Sequence, residues 1–338
     1  MLGLTPLGPW RWPDAEGREQ KRPANRKCDR MFIVCGEALF DVFMRPSDDA
    51  ALNMQAICGG SPYNVAIGLA RLGSRVGFFG GLSSDPLGQT LRRALAKEGV
   101  DTHQAPSYQA NTTLALVQLD AAGLPQYAFY GENAADRQLT PSDIPTLADD
   151  VKLLHFGSFS LVVEPVCQTL RTFAQAQAGK RLIAYDPNIR PTVVADMDIW
   201  RASLHDWLKI ADIVKVSHED LSLMFPGQDP EVIVRSWLDH APSVVVLTQG
   251  GDGAVGFCRQ GRVHVPAAKI AVIDTVGAGD SFQAALLHGL SKNGRLEKAE
   301  LDQIKRPELE DSLRFAVLAS GVTCTRKGAD LPYESQLR

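Results

Sequence analysis

Apolar and polar residues follow two alternating patterns along most of the chain. Short runs of consecutive apolar residues predict buried strands at Met31–Cys35, Val76–Phe79, Leu153–Phe156, Leu182–Tyr185, Ile213–Val216 and Val244–Leu247. Longer stretches with apolar residues at helical spacing predict helices at Pro62–Leu72, Leu87–Glu98, Pro165–Ala178 and Pro230–His240. Buried strands that alternate with helices predict an α/β fold, in which a parallel sheet is covered on both faces. Ligands of such sheets bind beyond the carboxyl ends of the strands.

Two regions follow a different pattern and predict a small second sheet. Leu39–Arg45 alternates between apolar and polar residues, and Thr113–Leu119 followed by Gln126–Tyr130 indicates a hairpin turned around Gly123. Alternation predicts strands with one open face. We interpret residues 39–58 and 110–131 as a β-sheet lid over the ligand edge of the large sheet. An ordinary β excursion without a lid role is the alternative.

The first thirty residues differ from the rest of the chain. Residues 1–30 are rich in Pro, Gly and charged residues, have no apolar periodicity and lack the continuous apolar core of a secretory signal. We therefore expect a flexible N-terminal extension, followed by one domain over residues 31–338.

Composition narrows the classes of function. The net charge is −4, from 39 acidic and 35 basic residues without a basic stripe, so we expect no nucleic acid partner. No apolar run approaches the roughly 18 residues of a membrane helix, so we expect no membrane partner. The 6 cysteines form no CxxC pair, which is typical of reduced thiols in a cytoplasmic protein.

The stretch Asp274–Phe282 joins a glycine-rich turn to the start of a predicted helix. Residues at the spacing of a helix with one buried side follow the turn: Phe282, Ala285, Leu286 and Gly289. Gly277 and Gly279 let the backbone approach a ligand without a Cβ, and unpaired N–H groups at a helix start favour an anion, phosphate above all. Asp280 would repel that anion, so it indicates a base acting on a nucleophile that attacks the phosphate. A helix capped by aspartate is the alternative interpretation.

Two common nucleotide-binding motifs are absent from the sequence. There is no GxxxxGK[ST] P-loop, and Phe282 occupies the third glycine position of GxGxxG. Both a P-loop protein and a dinucleotide-dependent oxidoreductase are therefore disfavoured. We expect the loop at 277–280 to hold the phosphate instead.

Further polar groups follow predicted strands or open a predicted helix. Asn64, after Gly59 and Gly60, both donates and accepts hydrogen bonds, which suits a hydroxylated ligand. Asp41 could accept bonds from two neighbouring hydroxyls of a sugar. A plain loop-to-helix junction and simple solvent exposure are the respective alternatives.

The ends of two later strands carry groups suited to a nucleotide. Arg190 follows one strand, where a guanidinium suits the charge on a transferring phosphoryl group. Thr248, Gly250 and Gly253 follow another, as expected of a loop on a nucleotide. Each group is ambiguous by itself, but their shared position after strands supports a common site.

Taken together, these motifs resemble the phosphofructokinase-B type, ribokinase-like sugar kinases, from about Met31 to the C-terminus. The stretch Asp274–Asp280 is similar to the C-terminal signature of that family, and Gly59-Gly60 with Asn64 is similar to the N-terminal one. Segments that resemble the fructokinase branch are Gly36–Asp41, His155–Leu161 with Glu164, and Tyr185–Arg190. The resemblance implies a three-layer α/β/α sandwich with a small β-sheet lid.

The resemblance also implies a role for each matching residue. Asp280 would be the catalytic base, with the amides of Gly277, Ala278, Gly279 and Asp280 as an anion hole and Arg190 near the transferred phosphoryl group. The sugar would be held by Asp41, Gly59, Gly60, Asn64, Arg137 and Glu164. ATP would lie among Lys215, Ser217, Thr248, Gly250 and Gly253. A monovalent cation such as K⁺ would lie near the Asp274 loop.

Two positions depart from the pattern of the family. Relatives tend to have Asn-x-x-Glu near the magnesium, where this chain has Ser217-His-Glu-Asp220. We expect Asp220 to hold Mg²⁺ through water, with Glu219 sharing the task. Many fructokinases have Phe-Tyr-Arg where this chain has Phe129-Tyr-Gly131, and Arg137 is a candidate to substitute for that arginine.

The resemblance implies ATP-dependent phosphorylation of D-fructose at O6, in an enzyme that we expect to be cytoplasmic and that could form a homodimer through its lid. A 2-keto-3-deoxygluconate kinase or a ribokinase of the same family is the nearest alternative, and a nucleoside acceptor is less favoured. An idle sugar-binding sensor is the alternative outside enzymes. The intact Asp280 argues against it, since a binding module has little use for a base beside an anion site.

Overall fold

The structure is a computed structural model that describes residues 30–45, 52–119 and 125–337. The predicted N-terminal extension, apart from Arg30, lies outside the described residues. So does the predicted turn at Gly123.

The described residues form strands and helices in an alternating order. The strands are β1 Met31–Cys35, β2 Leu39–Arg45, β3 Asn53–Gly59, β4 Arg75–Phe79, β5 Leu82–Ser83, β6 Ser107–Tyr108, β7 Leu114–Leu119, β8 Pro125–Tyr130, β9 Val151–Gly157, β10 Leu182–Asp186, β11 Ile213–Ser217, β12 Val244–Thr248, β13 Ala254–Cys258 and β14 Gly261–Val265. The helices are α1 Ser61–Arg71, α2 Pro86–Lys97, α3 Val166–Gln177, α4 Met197–Trp207, α5 His218–Met224, α6 Pro230–Ser236, α7 Ala278–Lys292, α8 Lys298–Leu301 and α9 Arg306–Cys324.

The larger sheet has 8 strands in the order β14-β13-β12-β11-β10-β9-β1-β4. The strands from β12 to β4 run parallel, whereas β13 and β14 pair antiparallel at one edge. All six strands predicted from apolar runs are confirmed in this sheet. Their carboxyl ends therefore share one edge, where ligands of such sheets bind.

The two faces of this sheet bury separate hydrophobic clusters. Along β1, Phe32 and Val34 belong to one cluster, and Ile33 and Cys35 belong to the other, which is the period of two of a strand. Helices α1, α2, α7 and α9 cover the first face, and α3, α4, α5 and α6 cover the second. The predicted fold of a mainly parallel sheet between two helical layers is confirmed.

Helix α7 differs from its predicted amphipathic pattern. Every residue from Asp280 to Leu290 is buried, rather than one side of the helix. The reason is packing, because α1 and α9 both lie against α7 while it covers the sheet. The residues between the predicted apolar positions, which are Gln283, Ala284, Leu287 and His288, are therefore buried as well.

Some elements are shorter than predicted, and others were not predicted from the sequence. The predicted helix Pro230–His240 ends at Ser236 and continues as a 3₁₀ turn over Trp237–Asp239. Helix α9 was not assigned, because its buried side includes small residues such as Ser312 and Ala316, which weaken the apolar periodicity. Helix α4 and the hairpin of β13 and β14 were also not assigned.

The smaller sheet has 4 strands in the order β3-β2-β7-β8. The predicted strands at 39–45, 113–119 and 126–130 match β2, β7 and β8, and β7 pairs antiparallel with β8 as a hairpin requires. Strand β3 lies at an edge and is exposed from Asn53 to Ile57. Among the described residues, no helix is both long and apolar enough to cross a membrane.

The crossing of α1 and α7 depends on a glycine. An ideal Cβ on Gly68 would lie 2.6 Å from Leu331 Cδ2 and 2.8 Å from Ala284 Cβ. We expect Gly68→Ala to lower the free energy of unfolding by about 1–3 kcal/mol, because overpacking forces the two helices apart. Urea unfolding of the full chain measures the change.

The same substitution in α9 is a matched control. A Cβ on Gly321 would meet no atom within 4 Å. Gly321→Ala should therefore stabilise the protein by up to about 1 kcal/mol through helix propensity. Equal effects of the two substitutions would contradict a close helix crossing at Gly68.

Candidate active site

Three segments that are distant in sequence meet at the carboxylate of Asp280. At the start of α1, Ser61 Oγ donates to Asp280 Oδ1 at 2.7 Å and Asn64 Nδ2 donates to Oδ2 at 2.8 Å. From the loop after β10, Asn188 Nδ2 donates to Ser61 Oγ at 2.5 Å and lies 3.5 Å from Asp280 Oδ1. These bonds fix the orientation of a carboxylate that is 7% exposed.

The turn before α7 presents backbone N–H groups. Gly277 has φ 77°, a left-handed conformation that glycine adopts without strain. The N–H of Ala278 donates to Thr275 O at 3.2 Å, whereas those of Gly277, Gly279 and Asp280 find no acceptor in the described part of the chain. Free N–H groups at the start of a 15-residue helix form an anion site.

Asp274 organises the loop that leads into this turn. Its Oδ1 accepts from Val276 N at 3.0 Å, and its Oδ2 accepts from Gly328 N at 2.8 Å. The carboxylate thereby joins the loop before α7 to the loop after α9. Both oxygens keep further lone pairs for a cation.

Asp41 lies where the small sheet joins the large domain. An ideal Cβ on Gly59 would lie 2.2 Å from Asp41 Oδ2, so only glycine leaves room for this carboxylate. Burial above all raises the pKa of Asp41 to about 6, with Arg190 acting against the shift and Asp280 adding to it. The three side chains therefore act on one another electrostatically, as expected for groups around one ligand.

Arg190 follows Asn188 in a tight loop after β10. Asn188 has φ 42°, and Arg190 Nη1 donates to the carbonyl oxygens of Asn188 at 3.3 Å and Ile189 at 3.0 Å. The guanidinium is partly buried and makes no ion pair with the described residues. Its remaining N–H groups are available to a ligand.

Arg137 occupies the space that a side chain at residue 131 would need. An ideal Cβ on Gly131 would lie 2.8 Å from Arg137 Nη2 and 2.8 Å from Thr113 Oγ1. The guanidinium stacks over the Phe159 ring at 5.5 Å, and its buried Nε has no partner among the described residues. Phe159 in turn packs edge-on against Phe129 of the small sheet. The glycine at residue 131 and the arginine at residue 137 are thus two parts of one arrangement.

The predicted nucleotide residues lie at the carboxyl ends of β11 and β12. Ser217 and Thr248 are direct partners in the parallel register of these strands. Ser217 Oγ caps α5 by accepting from Asp220 N at 2.9 Å. Gly250 and Gly253 follow with φ 55° and 96°, so the loop after β12 needs glycine at both positions.

Three of the predicted site residues lie apart from the groups around Asp280 or form other hydrogen bonds. Asp220 is buried and accepts from Ile189 N at 2.9 Å and Ser217 N at 3.4 Å, whereas Glu219 is exposed. Glu164 is exposed and accepts from Gln168 at 3.2 Å. In the ranges 30–45, 52–119 and 125–337, no three acidic, His or Cys side chains form a metal cluster.

Comparison with known proteins then identifies the family. Residues 30–336 match the family described as pfkB family carbohydrate kinase. The chain belongs to this family. It is 36% identical over 281 residues to a fructokinase of Rhizobium leguminosarum bv. trifolii, across 83% of this chain and 86% of that relative. It is 34% identical over 313 residues to a fructokinase of Klebsiella pneumoniae, across 90% and 97%.

Solved structures of carbohydrate kinases share the fold. The fructokinase from Xylella fastidiosa with bound ATP has a TM-score of 0.82 and 26% identity, covering 91% of this chain and 97% of that one. The fructokinase from Vibrio cholerae O395 in fructose, ADP and calcium ion bound form has a TM-score of 0.77 and 27% identity, covering 91% and 98%. The predicted family and ribokinase-like fold are confirmed.

Sequence reasoning missed several polar residues of this carbohydrate kinase site. Ser61 and Asn188 contact Asp280 but were not assigned a role, although both lie inside segments singled out as motifs. Glu37 is 1% exposed, bonded to Ser160, and burial raises its pKa to about 7. The position of Glu37 directly after β1, at the ligand edge, was the available signal.

Proposed function

We propose that this carbohydrate kinase transfers the γ-phosphoryl group of ATP to O6 of D-fructose. One observation carries the chemistry: a fixed carboxylate, Asp280, lies in the first turn of α7 beside unpaired backbone N–H groups. The curated relatives named as fructokinases support the choice of sugar. A structure that holds fructose and ADP on the same fold supports it further.

Asp280 acts as the general base in this proposal. It takes the proton of O6 as that oxygen attacks the γ-phosphorus. The hydrogen bonds from Ser61 and Asn64 aim the carboxylate at the hydroxyl and keep it from turning toward the phosphate. Phosphoryl transfer depends mainly on positioning and electrostatics, so a fixed base beside an anion hole is a sufficient arrangement.

The remaining predicted residues position the two substrates. Asp41 accepts hydrogen bonds from sugar hydroxyls, and the absence of a Cβ at Gly59 leaves room for its carboxylate, as the absence of one at Gly60 leaves room for the carbonyl oxygen of Glu37. Arg190 stabilises the charge on the transferred phosphoryl group. ATP extends from the anion hole over Lys215 within β11, over Ser217 and Thr248 at the ends of β11 and β12, and over Gly250 and Gly253 beyond β12.

The chain's carboxylates fit a water-mediated Mg²⁺ site rather than a protein cage. Asp220 has two oxygens that each accept one N–H, which leaves lone pairs for metal-bound water. Glu219 is exposed beside it. Bound Mg²⁺ would neutralise phosphate charge there, and K⁺ would bind near the carboxylate of Asp274.

Reduced cysteines support a cytoplasmic location, since the five described cysteines are free thiols.

Exchange of Asp280 for asparagine tests the base. Asp280→Asn should lower kcat by a factor of about 10²–10⁴, which is the usual contribution of a general base. Binding of fructose and Mg-ADP, measured by calorimetry, should change little because the amide keeps the size of the side chain. Unchanged turnover to fructose 6-phosphate would remove Asp280 from its role.

Arg137 provides a test of the sugar site. Arg137→Met should raise KM for fructose by about tenfold or more, since a hydrogen bond to a charged group contributes roughly 1.5–3 kcal/mol. KM for ATP should stay the same, and Arg93→Met on the exposed side of α2 is the control. A panel that includes 2-keto-3-deoxygluconate and ribose tests the alternatives, because Arg137, which forms no ion pair within the described part of the chain, also suits a carboxylate. Preference for the sugar acid would replace fructose as the substrate.

The small sheet is proposed as a lid that pairs with a second copy of the chain. Strand β3 is an edge strand with exposed apolar residues, Met54 at 51% and Ile57 at 38%, and Tyr130 of β8 is 63% exposed. Edge strands of this kind are suited to pairing. Lid closure would exclude water during transfer.

Light scattering after size-exclusion chromatography tests this assembly. The unaltered chain should elute as a dimer, and Met54→Glu should shift it toward monomer because it places charge in the apolar contact. Leu223→Glu, on an exposed site of α5, should leave the dimer intact. A monomeric unaltered chain at micromolar concentration would exclude the dimer.

A further inference from the structure

A buried lysine lies beneath the anion-binding turn. Lys215 is the third residue of β11 and is 3% exposed. Its ammonium donates to Asp186 Oδ2 at 2.8 Å, in an ion pair whose side chains are 4% and 1% exposed. An ammonium has three N–H donors, and Asp186 is its only acceptor among the described residues. Two donors of a buried cation are therefore left for another acceptor.

The ammonium points toward Gly279. An ideal Cβ on Gly279 would lie 3.4 Å from Lys215 Nζ and, apart from its chain neighbours and its own helix, would meet no other atom of the described residues within 4 Å. Gly279 lies inside α7 and its φ is not positive, so its backbone conformation does not require glycine. The missing Cβ instead leaves a gap between the ammonium and the turn whose N–H groups are free.

The surroundings keep the lysine charged. Burial alone would lower the pKa of Lys215. The negative charges of Asp186, Asp220 and Asp280 outweigh burial, so that the pKa is raised. His155 on β9, one strand beyond β10, is neutral, since burial and then Lys215 lower its pKa to about 3. A permanent positive charge therefore lies behind the anion site.

We propose that Lys215 extends the anion hole by donating, through the gap at Gly279, to the phosphoryl group in transfer, while Asp186 holds the ammonium in place. The proposal rests on the proposed function and assigns Lys215 to the reacting phosphoryl rather than to the remainder of the nucleotide. In the step, the bond from O6 to the γ-phosphorus forms as the bond from that phosphorus to the β–γ bridging oxygen breaks. Asp280 receives the proton of O6, ADP leaves, and Lys215 keeps all of its protons.

The expected loss of kcat on removal of Lys215 follows from the position of its charge. Negative charge spreads over the equatorial oxygens of the transferred group. A cation fixed in a water-poor site stabilises that charge without reorganising, and loss of one such donor typically lowers kcat by about 10²–10³. Binding of sugar does not involve this charge.

Two variants separate charge from packing. Lys215→Met alone leaves the Asp186 carboxylate buried without its partner, so the variant can fail to fold. The double variant Lys215→Met/Asp186→Asn removes both charges and keeps the volumes similar. Lys209→Met, which breaks an exposed ion pair with Asp206, is the control for loss of a lysine.

Kinetics and calorimetry are measured on the full chain. The double variant should unfold cooperatively and bind fructose and Mg-ADP within about threefold of the unaltered protein, but its kcat should fall by about 10²–10³. The non-hydrolysable ATP analogue AMP-PNP should lose affinity relative to ADP by about tenfold or more, since only it presents a γ-phosphoryl group. Lys209→Met should change none of these.

Two results would overturn the proposal. Normal kcat in the double variant would show that the pair is structural, and so would an unchanged AMP-PNP to ADP affinity ratio. If the unaltered protein forms no fructose 6-phosphate, the proposed function fails instead. The affinity ratio still decides the role of Lys215 in that case, because it requires no turnover.

Discussion

The site depends on one junction, the contact between the carboxylate of Asp280 and the first turn of a helix 216 residues earlier in the chain. For Ser61 and Asn64 to reach Asp280, α1 and α7 must begin at the same point and cross closely. Gly68 allows that crossing because it brings the backbone of α1 against Ala284. Helix packing in the core therefore sets the catalytic geometry, and it also fixes the positions of the loops.

Several carboxylates are buried at the ligand edge, although burial of a charged group is unfavourable. Burial raises the pKa of Glu37 to about 7, and those of Asp136 and Asp186 to about 6. Each of them needs hydrogen bonds or a cation to remain ionised in such surroundings. Serine, threonine and lysine side chains supply these partners. Electrostatic strain of this kind is typical of a site organised for chemistry rather than for stability.

The sequence allowed more of the fold to be predicted than of the site. Strands such as Val244–Thr248 are buried on both faces, so a continuous apolar run identifies them without knowledge of their neighbours. Helix α9 was missed because its contacts are made by small residues, whose burial depends on the approach of α7. In the site, Asp280 and Asn64 were found through local motifs. The bond between them, and the position of the Lys215 ammonium beside Gly279, arise from tertiary packing that no spacing in the sequence encodes.

The proposed substitution of Arg137 for an arginine at residue 131 affects how sugar recognition relates to movement of the proposed lid. Residue 131 directly follows β8 of the small sheet, whereas Arg137 belongs to a short turn anchored by the buried residues Ala134, Ala135 and Asp136. A guanidinium on the strand would travel with the sheet, but one on the turn stays fixed to the large domain. In the proposed kinase the sugar thus meets its cation in the open form. The proposed lid would then take no part in choosing the substrate and would only seal it from water.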